Sequence, residues 1–227
     1  ISYVYMRNFI EGNGFVFNTG LERVEGFTSL LWTLIGSFYF LLFDHPELFL
    51  FSTNIILISI ALWKLVSFVD INIVNIKSFS TESILLLGLL AFSPGFFEWT
   101  VLSLMDTGIW SFLLILISLN IFKYDMCIQK SKKNYELAIL LILLVLCRPE
   151  SLLWGSICIS LRIIQLQHQY NNIKTTMLHS FPLIFAFLIT ILILTIWRMY
   201  YFGYPLPNSY YAKVSYDFAF NFKMGIL

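Results

Sequence analysis

The chain is 227 residues long, 59% hydrophobic and 12% charged, with a mean hydropathy of +0.81. A water-soluble domain sits nearer half apolar and a quarter charged, so this composition predicts an integral membrane protein. The formal net charge is +1, so no excess of basic residues points to nucleic acid as a partner.

In chain order, residues 1–26 are polar and Gly-rich. Gly12, Gly14 and Gly20 allow tight backbone paths, and "ERVEG" supplies Glu22, Arg23 and Glu25 in a loop closed by Gly26. Such a stretch is either a plain exposed loop or part of a site. No basic segment with an apolar run and cleavage site precedes it, so no signal peptide is read, and the chain is expected to be a fragment of a longer protein. Thr28, or alternatively Ser29, is placed to cap the helix that follows.

Apolar runs then lie at 27–43, 48–68, 83–97, 108–122, 135–147, 151–166 and 180–200, against a spanning requirement of about 20 residues. The loop 123–134, "KYDMCIQKSKKN", carries four Lys, which predicts a cytoplasmic position. Counting from it, the loops with Lys77, and with Arg162 and Lys174, share its side. The segments 93–108, 148–150 and 198–213 fall on the other side. The run 27–43 is short and carries Gly36, Trp32 and Tyr39. It is expected to lie along the outer interface or to re-enter, with an ordinary short span as the alternative. On that basis 1–47 is an outer loop with an interfacial helix, 48–200 holds about six transmembrane helices, and 201–227 returns to the outer face.

Four polar clusters thereby share one side: 1–26, 93–108, 148–150 and 198–213. Ionisable groups near a membrane usually line a functional cavity. Arg148 either neutralises Glu150 beside it or grips a phosphate through paired hydrogen bonds. Asp106 is placed to cap the run 108–122, a role that does not exclude binding a ligand. Pro149 should end the preceding helix near residue 147. Gly203, Pro205 and Pro207 should set a turn ahead of Asn208, Tyr210, Tyr211 and Lys213. Cys127, Cys147 and Cys158, with His45, His168 and His179, show neither disulfide nor metal-ligand spacing.

In order, "ISYVYMRNFIEGNGFVFNTGLERVEGFTSLLW", "LSLMDTGIW", "RPES" and "PLPNSYYAK" resemble the motifs of bacterial membrane glycosyltransferases of the GT-C superfamily. The nearest group is the terminal arabinofuranosyltransferase-like proteins, related to the protein mannosyltransferase and aminoarabinose transferase folds. The resemblance implies an all-α polytopic helix bundle in the bacterial cytoplasmic membrane, with juxtamembrane helices on its outer face. It implies transfer of a sugar, hexosyl or pentosyl, from a polyprenyl-phosphate donor to a glycan, lipid or protein acceptor, with inversion. Arg148, Arg198 and Lys213 are then expected to bind the donor phosphate. Glu22, Glu25, Asp106, Asn208 and Tyr211 are expected to bind sugar or acceptor, supported by Arg7, Arg23 and Glu150, the last orienting Arg148.

The family pattern places its acidic pair a few residues ahead of the segment matching Ile1, which implies a catalytic base upstream of this sequence. Val4 stands where relatives usually have Arg, and Asp106 where they usually have Glu. No cofactor is implied as fixed, and a divalent cation is compatible with the chemistry. Two competing expectations are a polytopic transporter or lipid flippase, with polar groups on both sides and often inverted repeats, and a non-catalytic scaffold related to the transferases.

Overall fold

The computed structural model describes residues 1–43, 45–71, 81–123 and 130–213. Lys77, residues 124–129 of the loop 123–134 and the segment 214–227 lie outside the described residues, as does the Lys213 side chain. The described residues form helices and no strand. In order they are α1 Ser2–Ile10, α2 Leu30–Leu42, α3 Glu47–Ile71, α4 Thr81–Ala91 and α5 Pro94–Phe97. One π turn follows, Glu98–Leu102, then α6 Thr107–Phe122, α7 Lys130–Cys147, α8 Ser151–Tyr170, α9 Ile173–Phe202 and α10 Asn208–Lys213.

Local chemistry sets most of the boundaries. Ser29, rather than Thr28, caps α2, its hydroxyl accepting from the Trp32 N–H at 3.1 Å. α7 stops at Cys147, two residues before Pro149, as expected of a residue that has no N–H to donate. Asn171 ends α8 in the left-handed region, and the Asn172 side chain then caps α9, the role short polar side chains play at helix starts. That cap starts α9 well before residue 180 and leaves Pro182 inside the helix.

α7 is the axis of the core. Leu137, Leu141 and Leu144 are fully buried, and their spacing keeps them on one helical face. α6, α8 and α9 pack around α7, with α2 against it as well, while α3 lies against α6. A tight crossing joins α1 to α2, where the Met6 side chain fills the space a Cβ on Gly36 would need. α2 has 13 residues, about 20 Å of helix at 1.5 Å per residue, and falls short of a hydrocarbon core of about 30 Å.

Among the described residues two helices are long and apolar enough to cross a membrane, Glu47–Val69 and Ile173–Phe202. A third span exists if Thr81–Leu90 and Gly95–Leu102 act together across a 69° bend. The continuous run expected over 83–97 is therefore broken. Pro94 disfavours a helical conformation at Ser93, which is extended with φ −85° and ψ 100°. Large apolar side chains such as Ile56, Trp63, Leu153, Leu178, Leu188 and Ile193 are exposed along α3, α8 and α9. An apolar surface on this scale suits lipid rather than water and marks a membrane protein. By length and composition, two or three spanning helices are seen among the described residues, against an expectation of about six over 48–200; α6, with 16 residues, is short for a span.

One close approach tests the packing of α6. A Cβ on Gly108 would lie 2.4 Å from the Thr100 carbonyl oxygen and 2.4 Å from Asn54 Oδ1. Because one obstacle is backbone, Gly108→Ala should destabilise the protein by about 3 kcal/mol, at the upper end of overpacking effects. Thermal unfolding in nanodiscs would show it, and a variant as stable as the parent would refute this packing.

Candidate functional site

The site is built where the loop 11–29 meets the end of α9. Three side chains clamp the loop. Asn8 on α1 donates to the Val16 and Phe17 carbonyls at 2.8 and 3.1 Å. The Tyr5 hydroxyl accepts from the Gly26 N–H at 2.9 Å and donates to the Val24 carbonyl. From α9, the Tyr201 hydroxyl accepts from the Phe15 N–H at 2.9 Å. Gly14 allows that approach: its φ is +79°, and a Cβ there would lie 2.3 Å from the Tyr201 hydroxyl. Tyr5, Phe15, Phe27 and Phe202 form a small aromatic core beneath the loop.

Two arginine–carboxylate pairs anchor the site. Arg198 donates from Nε to both oxygens of Glu25 at 3.0 Å, with both side chains buried. Burial pushes the Glu25 carboxyl up, while the neighbouring guanidinium pulls it back. Arg148 donates from Nε and Nη2 to the two oxygens of Asp106 at 2.8 and 3.1 Å. These hydrogen bonds raise the Arg148 pKa, against the effect of burial. The two-nitrogen fork of Arg148 on Asp106 fixes orientation as well as charge.

The pairing revises several sequence expectations. Arg198 and Glu25, assigned to phosphate and to sugar, are bonded to each other, and so are Arg148 and Asp106. A residue spacing cannot reveal such partners, because they lie 173 and 42 positions apart. Asp106 sits at the helix start but makes no side-chain cap; its carboxylate is held by Arg148 instead. Glu150 is exposed and acts on Arg148 only through its charge, so Asp106, not Glu150, orients that arginine.

Neither arginine is used up. Among the described residues, Nη1 of Arg148 and both terminal nitrogens of Arg198 make no hydrogen bond. The two arginines line one small cavity of about 40 Å³, with Pro205 and Leu206 also in its lining. Leu206 also borders a larger cavity of about 540 Å³ that holds Glu22, Arg23, Glu25, Tyr201, Tyr204 and Asn208. Arg23 lies over the Tyr201 ring, 4.7 Å from its centroid. The other side of the 11–29 loop faces a cavity of about 650 Å³ with Tyr5, Phe17, Leu21 and Glu22 among its lining.

The remaining candidates divide. Glu22 borders both large cavities, and the Asn208 N–H donates to the Glu25 carbonyl at 3.1 Å. Tyr211 packs against Tyr204. Arg7 stands apart in an exposed pair with Glu11 at 3.7 Å, an arrangement that contributes little to stability. Among the described residues no three His, Cys, Asp or Glu side chains group to hold a metal ion, so no residue is assigned to a divalent cation. Lys213 carries no structural assignment.

Tyr5, Asn8 and Tyr201 were not singled out from sequence, since their role is to hold backbone and leaves no spacing signal. Tyr201→Phe should remove one hydrogen bond and cost about 1 kcal/mol. Hydrogen exchange at the Phe15 amide should accelerate; unchanged protection would mean the contact does not hold the loop.

No family model, no curated protein and no solved structure matches the chain.

Proposed function

We propose that the chain is the membrane core of a glycosyltransferase that takes a sugar from a polyprenyl-phosphate donor, at the outer face of the bacterial cytoplasmic membrane. One observation supports this reading above the others: Arg148 and Arg198, each held by a carboxylate and each with donor nitrogens to spare, line a common cavity next to a larger polar one.

In this reading the donor's phosphate lies against the two guanidinium groups once Leu206 is displaced, because about 40 Å³ holds little more than a water. The sugar occupies the larger cavity, with Glu22 and Asn208 on its hydroxyls and Tyr201 and Tyr204 against its apolar face. An acceptor oxygen bonds to the anomeric carbon as the bond from that carbon to the phosphate oxygen breaks. The acceptor proton passes to a carboxylate, and the lipid phosphate leaves with its bonding pair. Phosphate is a good leaving group, so stabilising its charge with fixed donors matters more than protonating it. Prior pairing with Asp106 and Glu25 keeps the guanidinium groups oriented and spares them reorganisation when the donor arrives.

The test is transfer itself. The complete protein in proteoliposomes is offered a panel of labelled polyprenyl-phosphate sugars with candidate acceptors, and label should move to an acceptor. A second reading, a flippase or transporter, draws on the 69° bend between α4 and the following helix, since broken helices are frequent in transporters. Movement of the intact donor across the bilayer without sugar transfer would favour it and sink the transferase reading.

A further inference from the structure

At the other end of α6 and α7, away from the arginine pairs, the helices line an open cavity of about 410 Å³. Lys64 of α3, Lys123 at the end of α6 and Lys133 of α7 line it, with Glu136 and Asn120. Glu136 is bonded to Lys133 at 2.6 Å and accepts from Asn120 at 3.2 Å. The Asn120 carboxamide oxygen in turn accepts from the fully buried Arg162 at 2.6 Å. Among the described residues, neither Lys64 nor Lys123 has a carboxylate within ion-pair distance. The lining therefore carries three positive charges against one negative. Desolvation, then repulsion from Lys64 and Lys133, lowers the Lys123 pKa, as expected where cations outnumber the counter-ions beside them.

The rest of the wall is apolar, with Leu119, Ile139 and Leu140 in it. Trp63 and Tyr135, 69% and 60% exposed, are close in sequence to Lys64 and Lys133. Such aromatic side chains mark the headgroup level of a bilayer. A soluble anion would use the lysines and leave the apolar wall bare, whereas an amphiphile matches both.

We propose that this cavity binds the phosphate headgroup of an anionic membrane lipid, with Lys64, Lys123 and Lys133 around the phosphate and an acyl chain along Ile139 and Leu140. Glu136, itself bonded by Asn120, holds Lys133 in place. Basic pockets between helices at a membrane surface recognise anionic lipids in this way. The site is separate from the arginine pairs and does not depend on the transferase reading.

Lipid adducts of the purified full chain, followed by native mass spectrometry, test it with phosphatidylglycerol, phosphatidylcholine and inorganic phosphate as probes. Phosphatidylglycerol should bind in preference to phosphatidylcholine. The double variant Lys64→Gln/Lys123→Gln should weaken phosphatidylglycerol binding roughly 25-fold, about fivefold per lysine, and leave phosphatidylcholine unaffected. Lys64→Arg/Lys123→Arg should retain the preference. Equal binding of the two lipids, or unchanged affinity in the Gln variant, overturns the proposal. Displacement of phosphatidylglycerol by an equal concentration of inorganic phosphate would assign the site to a soluble anion and overturn the lipid. If the Gln variant does not fold, salt decides: phosphatidylglycerol affinity of the parent chain should fall as salt rises, and salt-independent binding counts against the lysines.

Discussion

Replacing Glu25 by Leu should cost about 3–5 kcal/mol, because it leaves the Arg198 guanidinium buried without its counter-ion. Replacing Arg198 by Met should cost less. The asymmetry is chemical: an abandoned carboxylate can take up a proton and become neutral, while a guanidinium stays charged at any accessible pH. Both partners are almost entirely buried, so solvent relieves neither. The double variant Glu25→Leu/Arg198→Met should recover much of the loss, since well-packed apolar pairs often equal a buried ion pair.

The pH dependence follows from the same residues. Burial already raises the Glu25 pKa, and removing Arg198 takes away the group that lowers it. A carboxyl whose folded pKa lies above its unfolded value contributes stability that is complete below the unfolded pKa and is lost as pH rises through the folded one. Arg198→Met should therefore lose ground against the parent protein as pH rises from the ordinary carboxylate range, and recover on acidification. Thermal unfolding in nanodiscs over a pH series measures both effects. Equal losses in the two single variants, or a pH-independent gap, would mean that the pair is not buried as described.

The second large effect concerns catalysis under the proposed reading. Arg148→Ala in the complete enzyme should lower kcat/KM for sugar transfer by about 100-fold or more, the usual consequence of losing a fixed donor to developing negative charge. Arg148→Lys should not restore it, because an ammonium cannot reproduce the two-point contact with Asp106. Asp106→Asn keeps one neutral acceptor for the guanidinium, so its effect should be smaller, about tenfold. Asp106→Glu should also impair transfer, since an extra methylene in a nearly closed site displaces the fork. Transfer rates measured at matched membrane expression decide the matter. An Arg148→Ala enzyme as active as the parent would remove Arg148 from the site.

Several features were readable from residue order because their causes are local. The apolar runs at 48–68, 108–122, 135–147 and 151–166 coincide with α3, α6, α7 and α8, since unbroken apolar stretches of that length favour backbone hydrogen bonding within the segment. Pro149 and Gly203 close their helices as their backbone chemistry requires. The break at Ser93 was missed despite the visible Pro94, because hydropathy alone does not register the restriction that a proline places on the residue before it. The early start of α9 was missed because the Asn172 cap and the buried Thr176 and Ser180 outweigh the polar character of 173–180.

By itself, the order of residues determined an apolar helical chain suited to a membrane, with charged segments confined to the ends of its runs, because hydrophobicity and helix termination act over a few neighbouring residues. Only the tertiary structure decided that Arg198 belongs to Glu25 and Arg148 to Asp106, that both arginines share a cavity, and that three lysines from three helices meet around another. A buried charge takes whichever opposite charge the packing brings within reach, and that choice is made by helices crossing in space rather than by distance along the chain.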